Sequence, residues 1–454
     1  MPFRYGIAVL THLPHLFVRV RASIDDKPAE GVAADHLPPK WFTKVPDKDP
    51  EAEIEEMLAV IRQAASEAKE IRANTVFAFW EELYQRMDAW GGSEALPPLL
   101  THFGTSLVER ALIDAFCRGT ATSFPRALRS GAFGIHLKRI HPELAESDPE
   151  KYLPAEPLKE LTVRHTVGLG DPITAGEVDP ADRIDDGLPQ SLDEVIRFYG
   201  TRHFKIKIMA RQEKDFPRLE AMAAVIARET KDSYAFTIDG NEQFLSAQEF
   251  REYWAALRAR EPLRAFLGNL LFVEQPLHRD AAFQDEVRDL FANWNERPPV
   301  IIDESDGELH SCARALDWGY SGCSHKNCKG VIKGVANRAL LAYRIQKQPG
   351  RKLVMSGEDL ANIGPVALMQ DMTVQACLGN ASVERNGHHY FTGLSSFPEQ
   401  IQQEVLRLHP DLYEPADQGW PRLRIQEGRT QIQSLLSAPF GYAGTIPLEA
   451  FDNA

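Results

Sequence analysis

The chain has 454 residues, 43% of them hydrophobic and 26% charged, which sets aside disordered, collagen-like and low-complexity classes. Against 51 Lys and Arg stand 65 Asp and Glu, a net charge of −14. No basic run offsets this charge, so neither a nucleic-acid-binding nor an anionic-membrane surface is expected, although a small anion could bind in a locally positive pocket.

In chain order, residues 3–10 and 16–24 run apolar or alternate up to a turn-like Asp25-Asp26-Lys27-Pro28, which predicts two or three antiparallel strands. The apolar stretch behind the N-terminus is broken by His12, Pro14 and His15, so no signal-peptide core is expected. Asp49-Pro50 opens a predicted helix carrying Ile54, Leu58 and Ile61 at helical spacing. A second helix lines up Val76, Trp80, Leu83, Met87 and Trp90 and is expected to stop at Gly91-Gly92, and a third covers about 98–117. Residues 1–160 therefore read as an α+β domain.

From about Leu161 short β-branched runs alternate with amphipathic helices. Strands are predicted at 161–167, 203–208, 234–238, 270–273, 299–302, 319–325, 352–355 and 381–384, enough for a closed parallel barrel over 161–400. Residues 401–454, with five prolines from Pro410 to Pro447, are expected to wrap back over the first domain. Five cysteines (Cys117, Cys312, Cys323, Cys328 and Cys377) are too few and too odd in number for a disulfide framework, and a reducing cytoplasm is expected. No run approaches the ~20 apolar residues needed to cross a membrane.

In a parallel barrel the active site lies at the C-terminal strand ends. There the sequence places Lys205-Ile206-Lys207, Asp239-Gly240-Asn241, Glu274-Gln275-Pro276, Asp303-Glu304-Ser305 and His325-Lys326-Asn327. Each motif alone reads more readily as an edge strand or a solvated turn. Jointly, Asp239, Glu274 and Asp303 end consecutive strands and converge on one mouth, where their repulsion calls for a cation among them. Ligands that are all oxygen predict Mg²⁺, with Mn²⁺ as a substitute, rather than Zn²⁺. Lys205 and Lys207, two apart, face the same side, and Lys326 approaches from the other. Asn241 and Glu304 are placed to support the ligands from behind. A zinc site from Cys312, Cys323, His325 and Cys328 fits no common spacing.

These motifs together resemble the enolase superfamily, and within it the muconate lactonizing enzyme-like branch of the mandelate racemase/muconate lactonizing enzyme family, over nearly the whole chain. The segment Ala111-Leu112-Ile113-Asp114-Ala115 also resembles the family's lead into the barrel. The resemblance implies an α/β fold, a (β/α)7β TIM-like barrel (161–400) whose α+β capping domain is formed by the N-terminal region (1–160) and the C-terminal tail (401–454). It implies metal-dependent abstraction of the proton α to a substrate carboxylate through an enediolate, chemistry for which this superfamily is itself a standard example. Asp239, Glu274 and Asp303 would hold the metal, Lys207 would be the base, Lys205 would bind substrate carboxylate, and Lys326 would act on the opposite face. The outcome would be racemisation or epimerisation, or cycloisomerisation or β-elimination, so an isomerase or a lyase.

Specificity is expected from the cap loops 11–15 and 35–41 and from the last strand ends: Ser356, Glu358 and Asp359, then Arg385, Asn386, His388 and His389, with Glu358, His388 and His389 taken as substrate contacts. The sequence departs from related members in lacking Gly-Gly after Lys326-Asn327-Cys328-Lys329. Lys326 and Lys329 have opposite strand parity, so one is expected to face the interior; Lys326 is the choice and Lys329 the alternative. A mandelate racemase-like acid-sugar dehydratase would instead use a His325/Asp359 dyad, and a third reading is a metal-binding barrel without catalysis. The expected partner is a small-molecule carboxylate, with no nucleic acid or membrane, in a homo-oligomer of the kind common in this family.

Overall fold

In the computed structural model, which describes residues 3–5, 7–231 and 233–451, the predicted turn at Asp25-Asp26 closes a hairpin. Both residues have positive φ, 48° and 61°, the two-residue geometry whose twist matches its flanking strands. Strands β1 (Phe3–Tyr5) and β2 (Ala8–Leu10) form one antiparallel pair, and β3 (His15–Ile24) and β4 (Lys27–His36) another. Gly6, inside the first predicted strand segment, and the termini at 1–2 and 452–454 lie outside the described residues.

Helix α1 (Pro50–Glu70) begins where Asp49 accepts a hydrogen bond from the Glu51 amide (3.2 Å), and α2 (Val76–Ser93) where Thr75 accepts from the Ala78 amide (3.0 Å). Gly91-Gly92 does not end α2. A Cβ on Gly91 would lie 2.4 Å from the Thr101 side chain, so this glycine serves the close approach of α3 (Pro98–Gly119). Likewise a Cβ on Gly31 would stand 2.1 Å from the Ala115 amide, which is why β4 can lie directly on α3.

The barrel strands are β5 (Glu160–Val167), β6 (His203–Lys207), β7 (Ala235–Asp239), β8 (Leu270–Glu274), β9 (Val300–Ile302), β10 (Gly322–His325), β11 (Val354–Gly357) and β12 (Ser382–Arg385). All pair in parallel in chain order, and β12 closes on β5. Helices Leu192–Tyr199, Gln212–Thr230, Ala247–Arg258, Asp285–Asn293, Ser311–Asp317, Val331–Lys347 and Met369–Leu378 alternate with them, giving a (β/α)7β barrel. Phe204, Ile206, Phe236, Ile238, Val273, Val300 and Ile302 join one apolar cluster with helix residues such as Leu219, Phe250 and Val335. Each such side chain contributes roughly 1.5–3 kcal/mol by burial. Alternation then leaves the intervening residues to the interior.

The C-terminal segment only partly follows its expected path. Strands β13 (Tyr413–Pro415) and β14 (Pro421–Leu423) pair with each other, and β15 (Arg429–Gln431) adds antiparallel to β5 of the barrel. Its contacts with the cap include Arg118 donating to the Tyr442 carbonyl (2.9 Å) and Phe451 against Phe17 (ring centres 4.9 Å apart). All five cysteines are buried and free. Among the described residues no helix is long and apolar enough to cross a membrane.

Candidate active site

Strand alternation sends both lysines of β6 inward, between outward Phe204 and Ile206. Lys205 Nζ lies 2.9 Å from Asp239, 2.8 Å from Glu274, 2.7 Å from Glu358 and 3.0 Å from Glu384. Lys207 Nζ donates to Asp239 Oδ2 at 2.6 Å. Across the barrel, Lys326 Nζ lies 2.5 Å from Asp303 Oδ2. Lys329 Nζ donates to Asp303 Oδ1 (2.8 Å), to the Asp303 carbonyl (2.6 Å) and to Ser324 Oγ (2.7 Å).

The parity argument for choosing between Lys326 and Lys329 therefore fails. Strand β10 stops at His325, and Asn327–Lys329 forms a 3-10 turn that lets both ammonium groups reach Asp303. They differ in what else they touch. Lys326 lines the pocket at the barrel mouth, its Nζ 4.6 Å from the Trp41 ring centre, whereas Lys329 is anchored on Asp303 and Ser324.

The expectation that carboxylate repulsion requires a metal also needs correction, because lysines already neutralise these groups. For Lys205, burial opposes the charged form, but Asp239, Glu274, Glu358 and Glu384 outweigh it and raise its pKa well above the usual value. Burial likewise opposes ionisation of Lys326 and Lys329, and Asp303 raises both. Asp303 itself is held well below the carboxylate range, Lys326 and Lys329 overcoming its burial. Glu274 is the exception: burial, then the charges of Asp239 and Glu358, push it up in spite of Lys205.

Among the described residues no three or more His, Cys, Asp or Glu side chains are gathered to hold a metal. The donor set nevertheless suits a hard divalent cation. Asp239 and Glu274 are direct register partners on adjacent strands, and every donor is an oxygen. The buried Glu274 Oε2 faces only the Lys205 ammonium, 2.8 Å away, and has no other partner among the described residues. Behind them the Asn241 amide donates to Asp239 Oδ1 (2.8 Å) and its Nδ2 to Glu304 Oε1 (3.3 Å). Glu304 is pushed up to about 7 by burial and then by Asp303 and Glu242.

The pocket is small, about 30 Å³. Lys205, Lys207, Lys326, Asn241, Asp359, Glu384 and Asn386 line it, under Phe3, Leu10, Pro38, Trp41, Leu360 and Ala361. Larger hollows of about 1020 and 660 Å³ lie elsewhere, beside β3 and α1 and at the C-terminal end of α3. Neither gathers lysines and carboxylates as the barrel mouth does.

Three residues taken as substrate contacts do not line the pocket. Glu358 is turned to Arg164, Ser356 and Lys205, so it supports Lys205 from below. His388 Nε2 sits 3.3 Å from His165 Nδ1 with its ring against Tyr199, and His389 packs between His165 and Tyr390. Burial lowers the pKa of both, His389 to about 3, so they are neutral packing groups. His325 alternates outward, its ring against Gly334 of the following helix, while Asp359 bonds Arg385 (3.2 Å), so no His325/Asp359 dyad forms. The Cys312 thiol is hydrogen-bonded to that of Cys323, whereas Cys328 is buried in a separate cluster with Ala111 and Leu360, so these residues form no zinc site.

Glu384 went unrecognised although it ends a predicted strand. It accepts from Thr166 (2.6 Å), Lys205 (3.0 Å) and the Asp359 amide (3.0 Å), and the strand-end rule that flagged the others would have found it. The apolar cap residues carried no comparable signal.

Eight parallel strands closed into a barrel, with a cap across the C-terminal mouth and lysines on opposite walls, define a capped (β/α)7β barrel. Solved structures share this fold across nearly the full length. The chain is similar to a muconate lactonizing enzyme from Pseudomonas fluorescens complexed with muconolactone (15% identity over 97% of this chain and 91% of that one, TM-score 0.55). It is similar to a mandelate racemase/muconate lactonizing family protein from Azoarcus sp. EbN1 (16%, 95% and 90%, TM-score 0.56). A dipeptide epimerase from Enterococcus faecalis V583 complexed with Mg and the dipeptide L-Leu-L-Tyr aligns at 12% identity over 97% and 94% (TM-score 0.59). Neither a protein-family model nor a curated protein sequence matches the chain.

Proposed function

We propose that the protein is an enolase-superfamily isomerase, dependent on Mg²⁺, that moves the proton α to a carboxylate, with racemisation or epimerisation as the favoured outcome. One observation carries this reading: Lys207 and Lys326 line the same pocket from β6 and from the end of β10, four strands apart in an eight-stranded barrel and so on opposite walls. A carbon acid beside a carboxylate is weakly acidic, and inversion at that carbon needs a proton removed from one face and returned to the other. Lys207 would take the proton, and Lys326, held as the ammonium by Asp303, would deliver one from the opposite side. Lys205 would present its charge to the substrate carboxylate. A divalent cation held by Asp239, Glu274 and Asp303 would supply Lewis-acid stabilisation of the charge that builds on that carboxylate. Cycloisomerisation and β-elimination use the same lysine pair and differ in substrate; the missing His325/Asp359 dyad disfavours the acid-sugar dehydratase reading.

Exchange of substrate α-hydrogen for deuterium, followed by NMR over a library of carboxylic acids with Mg²⁺ present, tests this. The wild type should exchange at least one acid, and Lys207→Ala and Lys326→Ala should each lose exchange from one enantiomer. A dead Lys329→Ala beside an unaffected Lys326→Ala would reverse the lysine assignment. Ligand binding without any exchange would favour a non-catalytic barrel.

A further inference from the structure

The pocket has two unlike walls. Lys205, Lys207, Lys326 and Glu384 form one wall, and Phe3, Leu10, Pro38 and Trp41 of the cap, with Leu360 and Ala361 of the loop after β11, form the apolar wall facing it. Among the described lining residues there is no arginine, no histidine and no hydroxyl side chain. Asp359 is already engaged by Arg385 (3.2 Å) and by the amides of Asn362 (3.0 Å) and Asn386 (3.2 Å). Glu384 is filled by Thr166, Lys205 and the Asp359 amide. The lining side chains with an unmet hydrogen-bonding atom are Asn241 and Asn386, 4% and 2% exposed, each with a buried Oδ1 that has no partner.

We infer, resting on the α-proton reading above, that the substrate is a monocarboxylic acid whose α-substituents are apolar, aliphatic or aromatic, with at most one or two hydrogen-bonding groups, met by Asn241 and Asn386. The carboxylate belongs on the lysine wall. Everything attached to the α-carbon on the cap side then meets hydrocarbon and the Trp41 ring, where burial of apolar surface is favourable. A second carboxylate there would be desolvated without a cation, and a chain of hydroxyls would lose its water partners and find at most two replacements. Both losses discriminate strongly, because an unpaired buried polar group is far more costly than a missing methylene.

The test uses the full-length protein with Mg²⁺ and five probes: 2-phenylpropionate, 2-methylbutyrate, N-acetylalanine, glutarate and gluconate. Binding is measured by titration calorimetry and α-hydrogen exchange by NMR in D₂O. The first three should bind at least tenfold more tightly than glutarate and gluconate, and exchange should be confined to them. Equal or tighter binding of glutarate or gluconate overturns the inference, as does binding of none of the five. Exchange seen only with glutarate or gluconate overturns it while leaving the α-proton reading intact. Selective binding of the apolar acids with no exchange does the reverse. Leu360→Arg should shift the preference at least tenfold towards glutarate, and an unchanged preference in a folded variant counts against the inference. If that variant does not fold, the order of the five probes on the wild type decides.

Discussion

Glu109 of α3 offers a quantitative test of how the cap holds the second lysine. Its carboxylate, 1% exposed, accepts from the amides of Val331 (3.0 Å) and Ile332 (2.7 Å), the first turn of the helix that directly follows Asn327–Lys329. Burial pushes its pKa from 4.5 up to about 7, only partly offset by those two amides and by Arg110. The folded value lies above the unfolded one, so the stabilising contribution is complete below about pH 4.5 and is lost as pH rises through 7. At ~1.4 kcal/mol per tenfold step, the loss between pH 5 and 8.5 is about 2–3 kcal/mol. Glu109→Gln keeps an acceptor and cannot ionise. In urea unfolding followed by tryptophan fluorescence, the stability of wild type relative to Glu109→Gln should therefore fall by about 2–3 kcal/mol across that range. A difference that stays flat with pH would refute the reasoning. Glu109→Ala, which leaves both amides without their partner, should also slow α-hydrogen exchange, because the turn carrying Lys326 and Lys329 loses its anchor on the cap.

Three further outcomes follow from the site. Arg279 donates to the carbonyls of Trp41 (2.9 Å) and Phe42 (2.7 Å) and pairs with Glu242, so it pins the segment that closes the pocket. Arg279→Ala should change KM for exchange several-fold and, because it leaves the buried Glu242 with Lys44 alone, also lower the melting temperature; an unaltered KM would show that this pin does not control entry. Asp303→Asn strips two buried ammonium groups of their shared charge. It should cost about 3–5 kcal/mol, visible as a melting temperature lowered by several degrees, and a variant as stable as wild type would contradict the pairing. Exhaustive chelation should abolish exchange and added Mg²⁺ restore it; exchange that survives chelation would remove the metal from the proposal.

Which charges enter the barrel was legible because a strand repeats every two residues. Once 203–208 is a strand with Phe204 and Ile206 outside, Lys205 and Lys207 have one place to go, and Asp239 and Glu274 follow by the same rule. The rule failed where the strand ends: the 3-10 turn at Asn327–Lys329 brings Lys329 round to the oxygen opposite the one Lys326 takes. His388 and His389 failed for a related reason, since they sit in a short helix past β12 whose direction depends on Tyr199, His165 and Tyr390, all remote in sequence. The cap wall was illegible residue by residue, because Phe3, Pro38 and Leu360 are ordinary apolar residues until three distant segments meet. Charge pairing was the deepest omission. Strand ends announce carboxylates and lysines in one mouth, but only the folded chain shows Lys205 shared among Asp239, Glu274, Glu358 and Glu384 and Asp303 shared between two lysines. A buried charge that loses its partner is strongly destabilising, whereas a complete set costs little. The carboxylates of this mouth are therefore tolerable on their own, and Glu274, the middle of the three proposed ligands, is the one that burial and its carboxylate neighbours push up. A cation bound there would act on the least satisfied member of an otherwise balanced set.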